Sequence, residues 1–283
     1  MKFAKMQGTG NDYIYVNCFE ETVFDPPAAA KFLSDRHFGV GSDGLVLIEP
    51  SDRADFKMDI YNSDGSRARM CGNAARCVAK YVCDNGLTDK SLISLETPGG
   101  IKYIDIYKEN GKVVSARVNM GAPILKSRDI PALFDSDTVI DLPLKVGAKS
   151  YRVTCLSMGN PHCVVFSNDA DSVNIQKTGP EFENHPAFPD RINTEFVQPL
   201  SGSHIKMRVW ERGAGETLSC GTGACAAAAA CILNGYCKRD TDIAVTLRGG
   251  DLSVNWSADG AVYLTGPAAT VFTGEIACCG GAR

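Results

Sequence analysis

An excess of basic residues is missing from this chain of 283 residues: 29 Lys and Arg stand against 33 Asp and Glu, for a formal charge of −4. With no positive field to gather phosphates or anionic headgroups, nucleic acid and membrane surfaces are excluded as main partners, and a small molecule is the expected one. Long apolar runs are missing too. The longest, residues 221–233, is rich in alanine and falls short of the ~20 strongly apolar residues of a membrane span, so it has to be buried in protein. The opening residues, Met1 to Gly8, hold no apolar stretch of the kind that directs export, and a cytoplasmic location is expected. Twelve cysteines are present, yet no Cys-x-x-Cys, and the four histidines (His37, His162, His185, His204) show no paired spacing. No metal site is therefore expected, and in a reducing compartment most of the thiols serve packing. The vicinal pair Cys278-Cys279 reads as an incidental feature of a frayed tail. Gly39-Val40-Gly41-Ser42-Asp43-Gly44 has dinucleotide-fingerprint spacing but follows a helix pattern and precedes a strand pattern, the reverse of the required order. No lysine sits in a setting that argues for pyridoxal phosphate, and no cofactor is expected.

What is present is a repeat. At an offset of 149 residues Gly10-Asn11 falls on Gly159-Asn160, Val16 on Val165, Cys71-Gly72 on Cys220-Gly221, Ala75 on Ala224, Ala79 on Ala228 and Asn85-Gly86 on Asn234-Gly235. Gly99-Gly100 then pairs with Gly249-Gly250 one residue further on, as a loop insertion would produce. Two copies of one fold follow, at about residues 1–122 and 150–267, with a Pro-bearing segment between them. Material that is 44% hydrophobic and 22% charged is ample for two cores.

Within each copy, short β-branched runs surround one helix. Residues 13–16, 45–48, 102–106 and 113–118 read as strands in the first copy, and 163–166, 205–210, 243–247 and 261–264 in the second. Residues 74–83 and 223–233 read as helices stopped by Asn-Gly, and residues 28–38 as a further helix. The second repeat helix is apolar on every face. A helix with no polar stripe has to be surrounded, so the fold class expected is α+β, two similar domains each made of a barrel-like mixed or antiparallel sheet wrapped around a central helix. Cys77, Cys83, Cys225, Cys231 and Cys237 fall to core or helix ends.

The chemistry sits where the repeat helices begin. Cys71-Gly72-Asn73-Ala74 and Cys220-Gly221-Thr222-Gly223 each place a thiol just ahead of a helix N-terminus, where free N–H groups and the dipole favour the thiolate. A dipole contribution of up to ~2 kcal/mol lowers a thiol pKa of ~8.5 by little more than one unit at ~1.4 kcal/mol per unit. A further neighbour is needed, and His162 and Glu211 are the candidates. Two thiolates at one ligand repel, so a pair of this kind holds one proton and provides one base and one acid. Inverting a stereocentre without a cofactor requires that pair, with helix N-termini to receive the substrate's α-carboxylate and its developing charge.

Met6-Gln7-Gly8-Thr9-Gly10-Asn11-Asp12, Asn62-Ser63-Asp64-Gly65, Cys71-Gly72-Asn73-Ala74-Ala75-Arg76, Gly159-Asn160-Pro161-His162 and Glu211-Arg212-Gly213-Ala214-Gly215-Glu216-Thr217 running into Cys220-Gly221-Thr222-Gly223 together resemble the diaminopimelate epimerases, in order and spacing, over essentially the whole chain. The resemblance implies interconversion of LL- and meso-2,6-diaminopimelate in lysine and peptidoglycan precursor synthesis, with neither pyridoxal phosphate nor metal. It implies halves of 1–120 with 267–283 and of 121–266, an active site in the cleft between them, and a homodimer. Carried over by motif, Cys71 and Cys220 are the acid and base, and His162 and Glu211 modulate their pKa values. Gly72, Asn73, Gly221 and Thr222 hold the reacting end of the substrate. Asn11, Asn62, Asn160, Asn193, Glu211 and Arg212 hold the rest, Arg212 suiting a bidentate grip on the distal carboxylate. Two positions depart from the pattern: Gly44 stands where many relatives carry Gln, and Phe272 where relatives can carry Tyr at the dimer contact.

Two alternatives stand beside this reading. A related two-thiol racemase of proline-like substrates would use the same thiols, although Arg212 and the asparagines favour a longer, doubly zwitterionic substrate. A redox sensor would close Cys71 and Cys220 into a reversible disulfide.

Overall fold

The computed structural model of the chain describes residues 1–277. It resolves into two compact units, one of Met1–Val118 with the described residues from Thr265 onward, the other of Asn119–Leu264. In chain order the first holds β1 (Lys2–Gly8), β2 (Asn11–Asn17), α1 (Pro26–Ser34), β3 (Gly44–Glu49), β4 (Phe56–Asn62), β5 (Arg67–Ala68), α2 (Gly72–Asp84), β6 (Leu92–Thr97), β7 (Gly100–Glu109) and most of β8 (Lys112–Gly121). The second holds a 3-10 turn at Ser127–Asp129, then β9 (Val139–Val146), β10 (Lys149–Ser157), β11 (Pro161–Phe166), α3 (Ile175–Glu183), β12 (Asn193–Ser201), β13 (His204–Glu211), β14 (Gly215–Thr217), α4 (Gly221–Leu233), β15 (Ile243–Leu247), β16 (Gly250–Trp256) and the start of β17 (Val262–Pro267). The chain then returns to the first unit as β18 (Ala269–Glu275).

The two units pair their strands in the same way. In the first, β18, β1 and β2 are antiparallel, β2 and β3 parallel, β3 and β4 antiparallel, β4 and β6 parallel, and β6, β7 and β8 antiparallel. In the second, β9, β10 and β11 are antiparallel, β11 and β12 parallel, β12 and β13 antiparallel, β13 and β15 parallel, and β15 and β16 antiparallel. Parallel neighbours need a crossover, and each parallel pair has its helix: α1 and α3 join β2 to β3 and β11 to β12, while α2 and α4 lie between β4 and β6 and between β13 and β15. This is a two-part α+β fold of mixed sheets, each part carrying a helix within its sheet. α4 packs against β10, β11, β12, β13, β15 and β16, and Ala224 to Cys231 have no exposed surface, as an all-apolar helix requires. α2 packs against β1, β2, β7 and β18. On the other sheet face of the first unit, Ala29, Ala30 and Leu33 of α1 meet Ile14, Val16, Leu45 and Leu47. Covered on both faces, β2 and β3 can be apolar without alternation.

The repeat helices end alike. Gly86 (φ 73°) and Gly235 (φ 77°) take the left-handed conformation. Leu87 N–H reaches Val82 O at 2.8 Å and Gly86 N–H reaches Cys83 O at 3.2 Å; Tyr236 to Cys231 at 2.8 Å and Gly235 to Ile232 at 3.1 Å repeat the pattern.

Some elements depart from the sequence reading. The helix expected at residues 28–38 runs Pro26–Ser34: Asp25 caps it by accepting the Ala28 N–H at 3.1 Å, prolines fill its first turn, and Asp35 leaves the helix in an extended conformation. The Asp35 carboxylate then takes the His37 and Phe38 N–H groups at 2.7 and 2.8 Å and shapes a turn of its own. Residues 123–149, read as a connecting segment, contain β9, which belongs to the second sheet. α3 was not expected; Pro180 lies inside the helix, and Gly179 lets it close on Trp210, where an added Cβ would sit 2.3 Å from the ring. The Cys278-Cys279 pair lies outside the described residues.

Candidate active site: two capped thiols

In the first unit, Cys71 is the N-cap of α2, extended at φ −140° and ψ 117°, and its Sγ accepts the Ala74 N–H at 3.4 Å. Sulfur here does the work that a hydroxyl or carboxylate oxygen does at ordinary caps. A turn at Thr9-Gly10, both with positive φ, brings Asn11 to the first position of β2. Asn11 Oδ1 lies 3.5 Å from Cys71 Sγ and 3.5 Å from Asn73 Nδ2, and Asn11 Nδ2 donates to Asp43 Oδ2 at 2.8 Å. Gly72 and Asn73, in the first turn of α2, are buried. Beneath them lies Arg76, wholly buried, with Nε on Pro267 O at 3.2 Å and Nη2 on Thr9 Oγ1 at 3.4 Å, so it ties the turn that carries Asn11 to the last strands of the unit. Asn62 closes β4 and donates to Ser66 Oγ at 3.0 Å. Gly44 sits opposite Tyr13 in the parallel β2–β3 register. A Cβ there would meet Tyr61 O at 2.1 Å and the Tyr13 ring at 2.7 Å, so the space a glutamine would need is filled.

In the second unit, Cys220 caps α4, its Sγ accepting the Gly223 N–H at 3.4 Å and lying 3.5 Å from Thr222 Oγ1. Asn160 Nδ2 donates to Thr222 Oγ1 at 3.2 Å, and Asn160 Oδ1 lies 3.0 Å from His162 Nε2. The other ring nitrogen, Nδ1, lies 2.7 Å from Glu195 Oε1, and both side chains have 0% exposure. Asn193 Nδ2 donates to Pro161 O at 2.8 Å while its Oδ1 accepts the Arg212 N–H at 2.9 Å. Arg212 Nη1 donates to Asp190 O at 2.8 Å, and the Glu211 carboxylate accepts the Thr217 hydroxyl. Gly221 is buried in the first turn of α4.

Electrostatics modifies the sequence reading at Cys220. The cap geometry is the one expected to favour a thiolate, and the Thr222 hydroxyl and the Gly223 N–H do pull that way. Burial pushes the thiol well above its ordinary value, and the Glu211 and Glu195 carboxylates push in the same direction. Desolvation therefore outweighs the dipole, whose reach is only about one unit. His162 spends its two nitrogens on Asn160 and Glu195, and its hydrogen-bonded path to Cys220 passes through Asn160 and Thr222.

Two residues of these networks went unnoticed in the sequence. Glu195 sits in the buried start of β12, Asn193-Thr194-Glu195-Phe196-Val197, where one charge in a buried run was the available signal. Burial lifts its carboxyl above the ordinary value, against the pull of His162. Asp43 lay inside the rejected glycine motif. Among the described residues no group of three or more His, Cys, Asp or Glu side chains could hold a metal ion, and no helix is long and apolar enough to cross a membrane.

Comparison with known proteins gives this geometry its family. The family described as diaminopimelate epimerase matches residues 3–126 and 154–271. The diaminopimelate epimerase of Acetivibrio thermocellus is 55% identical over 277 residues, with 98% of both chains covered, and that of Agathobacter rectalis is 56% identical over 284 residues, covering 98% of this chain and 99% of the relative. Among solved structures, a hydroxyproline epimerase from Agrobacterium vitis superposes with a TM-score of 0.68 at 15% identity over 98% of this chain and 90% of that one. A phenazine biosynthesis protein of Bacillus anthracis gives 0.69 at 17% identity, over 98% and 99%. Those two likenesses show a shared fold. On the match to the family and the extent of the identity to its members, this chain belongs to the diaminopimelate epimerase family.

Proposed function

We propose that the chain interconverts LL- and meso-2,6-diaminopimelate by a two-base mechanism in which Cys71 and Cys220 exchange the roles of base and acid. The observation that carries the reading is that each sulfur is the N-cap of the equivalent helix in its own unit, 149 residues apart. One sulfur, as thiolate, removes the α-proton. The carboxylate of the resulting carbanion takes up negative charge, and the N–H groups in the first turns of α2 and α4, at Gly72, Asn73, Gly221 and Thr222, are available to stabilise it. The other sulfur, as thiol, returns a proton to the opposite face. The mechanism requires both sulfurs at one carbon, so it requires the halves 1–120 with 267–283 and 121–266 to share one substrate.

Glu211 acts on Cys220 directly through its charge, and His162 acts through Asn160 and Thr222. Asn11, Asn62, Asn160, Asn193, Glu211 and Arg212 hold the remainder of the substrate, with the Arg212 guanidinium on the distal carboxylate. In this reading the enzyme is cytoplasmic and homodimeric and uses no cofactor. A disulfide between Cys71 and Cys220 is an inactive form that reductant restores.

The test is α-deuterium incorporation from deuterated water, with LL-diaminopimelate and with proline as substrates. The wild type incorporates deuterium into diaminopimelate as it epimerises it, and Cys71→Ala and Cys220→Ala each lose roughly 10²–10⁴-fold in epimerisation, the usual worth of an acid or base. Epimerisation persisting in the double variant, or turnover of proline alone, would overturn the reading.

A further inference from the structure

We propose that Asp43 is a positioning residue for Cys71: its carboxylate holds the Asn11 amide with the NH2 turned away, which leaves the amide oxygen facing the sulfur. The inference rests on Cys71 being one of the two acid/base groups. A carboxylate can only accept hydrogen bonds, so the Asn11 group 2.8 Å from Asp43 Oδ2 has to be the NH2. The orientation of the amide, otherwise ambiguous, is settled by that neighbour. Its oxygen then faces Cys71 Sγ and Asn73 Nδ2, each at 3.5 Å, and an acceptor beside a sulfur favours the protonated thiol. Released from Asp43, the amide could turn its NH2 to the sulfur and favour the thiolate.

Asp43 is itself fixed. Oδ2 also accepts the Asp12 N–H at 3.1 Å, and Oδ1 accepts Arg36 Nη2 at 3.2 Å. The residue belongs to a loop tied down by backbone bonds: Asp43 N–H to Asp12 O at 2.8 Å and Ser63 N–H to Asp43 O at 3.0 Å. The neighbouring charges stay paired without it, because Asp12 keeps Lys5 Nζ at 2.6 Å and Arg36 Nη2 at 3.1 Å. Cys71 also acts electrostatically on Tyr15 of β2 and on Cys77 of α2, with Arg76 acting on Cys77 in turn, and the substitutions below leave all three in place.

The second unit anchors the equivalent asparagine by another device. Asn160 has the His162 imidazole on its oxygen, with Glu195 behind the ring, and the Thr222 hydroxyl in place of a carboxylate on its nitrogen. At the offset of 149 Asp43 falls on Ile192 and Glu195 on Val46, so neither anchor has a copy in the other half. The two sulfurs thus stand in unlike surroundings although their helices match. An enzyme that keeps one proton between two thiols needs such a difference to decide where it rests.

The experiment measures alkylation of Cys71 and Cys220 by iodoacetamide across pH, resolved by peptide mass spectrometry, in wild type, Asp43→Ala and Asp43→Asn. The side chain of the Asp43→Asn variant keeps an oxygen that the Asp12 N–H holds in place and that can receive the Asn11 NH2, yet it carries no charge. The expected result is a Cys71 midpoint lower by roughly one unit in Asp43→Ala, about tenfold more thiolate at fixed pH below it, the size that one hydrogen bond allows. Asp43→Asn should follow wild type, and Cys220 should be unmoved in both. If Asp43→Ala does not fold, Asp43→Ser takes its place, since its side chain ends one bond short of the oxygen that takes both the Asn11 NH2 and the Asp12 N–H. A Cys71 profile unchanged in Asp43→Ala or Asp43→Ser overturns the proposal. So does an Asp43→Asn profile that moves with it, because loss of charge would then be the cause. No substrate enters this readout, so its failure leaves the epimerase reading standing, and failure of that reading leaves the Cys71 profile interpretable.

Discussion

A carboxylate with no exposed surface is costly unless its surroundings compensate it, and Glu195 is compensated on one oxygen: Oε1 meets His162, while Oε2 has no hydrogen-bond partner among the described residues. Two consequences follow from its raised carboxyl. Between the ordinary Glu value of ~4.3 and the raised folded value, the native state binds more protons than the unfolded state, so stability falls as pH rises through that window. Glu195→Gln removes this contribution, so its stability should fall less steeply with pH there than that of wild type in urea unfolding at a series of pH values; a slope identical to wild type would refute the assignment. The same substitution removes one of the two carboxylates that push Cys220 upward, so Cys220 should alkylate at lower pH than in wild type while Cys71 is unchanged. The sequence made the pair of thiols legible because they recur at one offset. It hid Glu195 and Asp43 for the same reason: a search for what two halves share passes over the residues that make them differ, and opposite these two stand Val46 and Ile192. His162 was visible only through its motif, since its counterpart is Tyr13.

At the scale of elements, each repeat helix is fastened at both ends, by a sulfur cap and by a left-handed glycine, and the two fastenings make separable predictions. Nothing lies within 4 Å of a Cβ built on Gly86 or Gly235, so an alanine there meets no clash and suffers only the left-handed backbone penalty. Gly86→Ala and Gly235→Ala should each cost about 1–2 kcal/mol in denaturant unfolding. Equality of either variant with wild type would mean that the helix ends are not under this constraint. At the other end, Cys71→Ser and Cys220→Ser keep an N-cap acceptor, whereas the alanine variants lose it. The serine variants should be inactive yet as stable as wild type, with the alanine variants up to about 1 kcal/mol less stable. The repeat helices were legible from their Asn-Gly stops and apolar faces. α3 was not, although it occupies the positions of α1 at the same offset, because Pro180 and Gly179 argue locally against a helix, and what overrules them is packing against Trp210. β9 was hidden by its surroundings: its role is set by pairing with β10, which no local pattern records.

On the scale of the whole chain, the duplication is displaced by one strand. The second unit receives β9 from the residues just before β10, through a tight hairpin at Gly147-Ala148, whereas the first unit receives the equivalent strand, β18, from the far end of the chain. β18 lies antiparallel along β1 from Lys2↔Glu275 to Gln7↔Ala269, and Phe272 packs edge-on against Phe3 with ring centroids 6.0 Å apart. The Met1 amino group donates to Ile276 O at 2.7 Å, and Ile276 N–H returns to Met1 O at 3.0 Å. The ends of the described chain are therefore already held together as a hairpin would hold them. A connection from Ile276 to Met1 through a short linker, with a new opening between Gly147 and Ala148, would give β18 to the first unit by a hairpin and β9 to the second from the far end, the natural arrangement with the two halves exchanged. If each unit is specified by its own pairings and not by the order of synthesis, this permutant should fold. The expected outcome is a cooperative urea transition with the wild-type slope and an unfolding free energy within about 2 kcal/mol of wild type, since one hairpin closure is exchanged for another. Amide exchange should protect β1 and β10 alike. Loss of protection in β9 and β10 alone would show that the second sheet depends on its local hairpin. A non-cooperative transition would show that the two units do not carry independent instructions for folding.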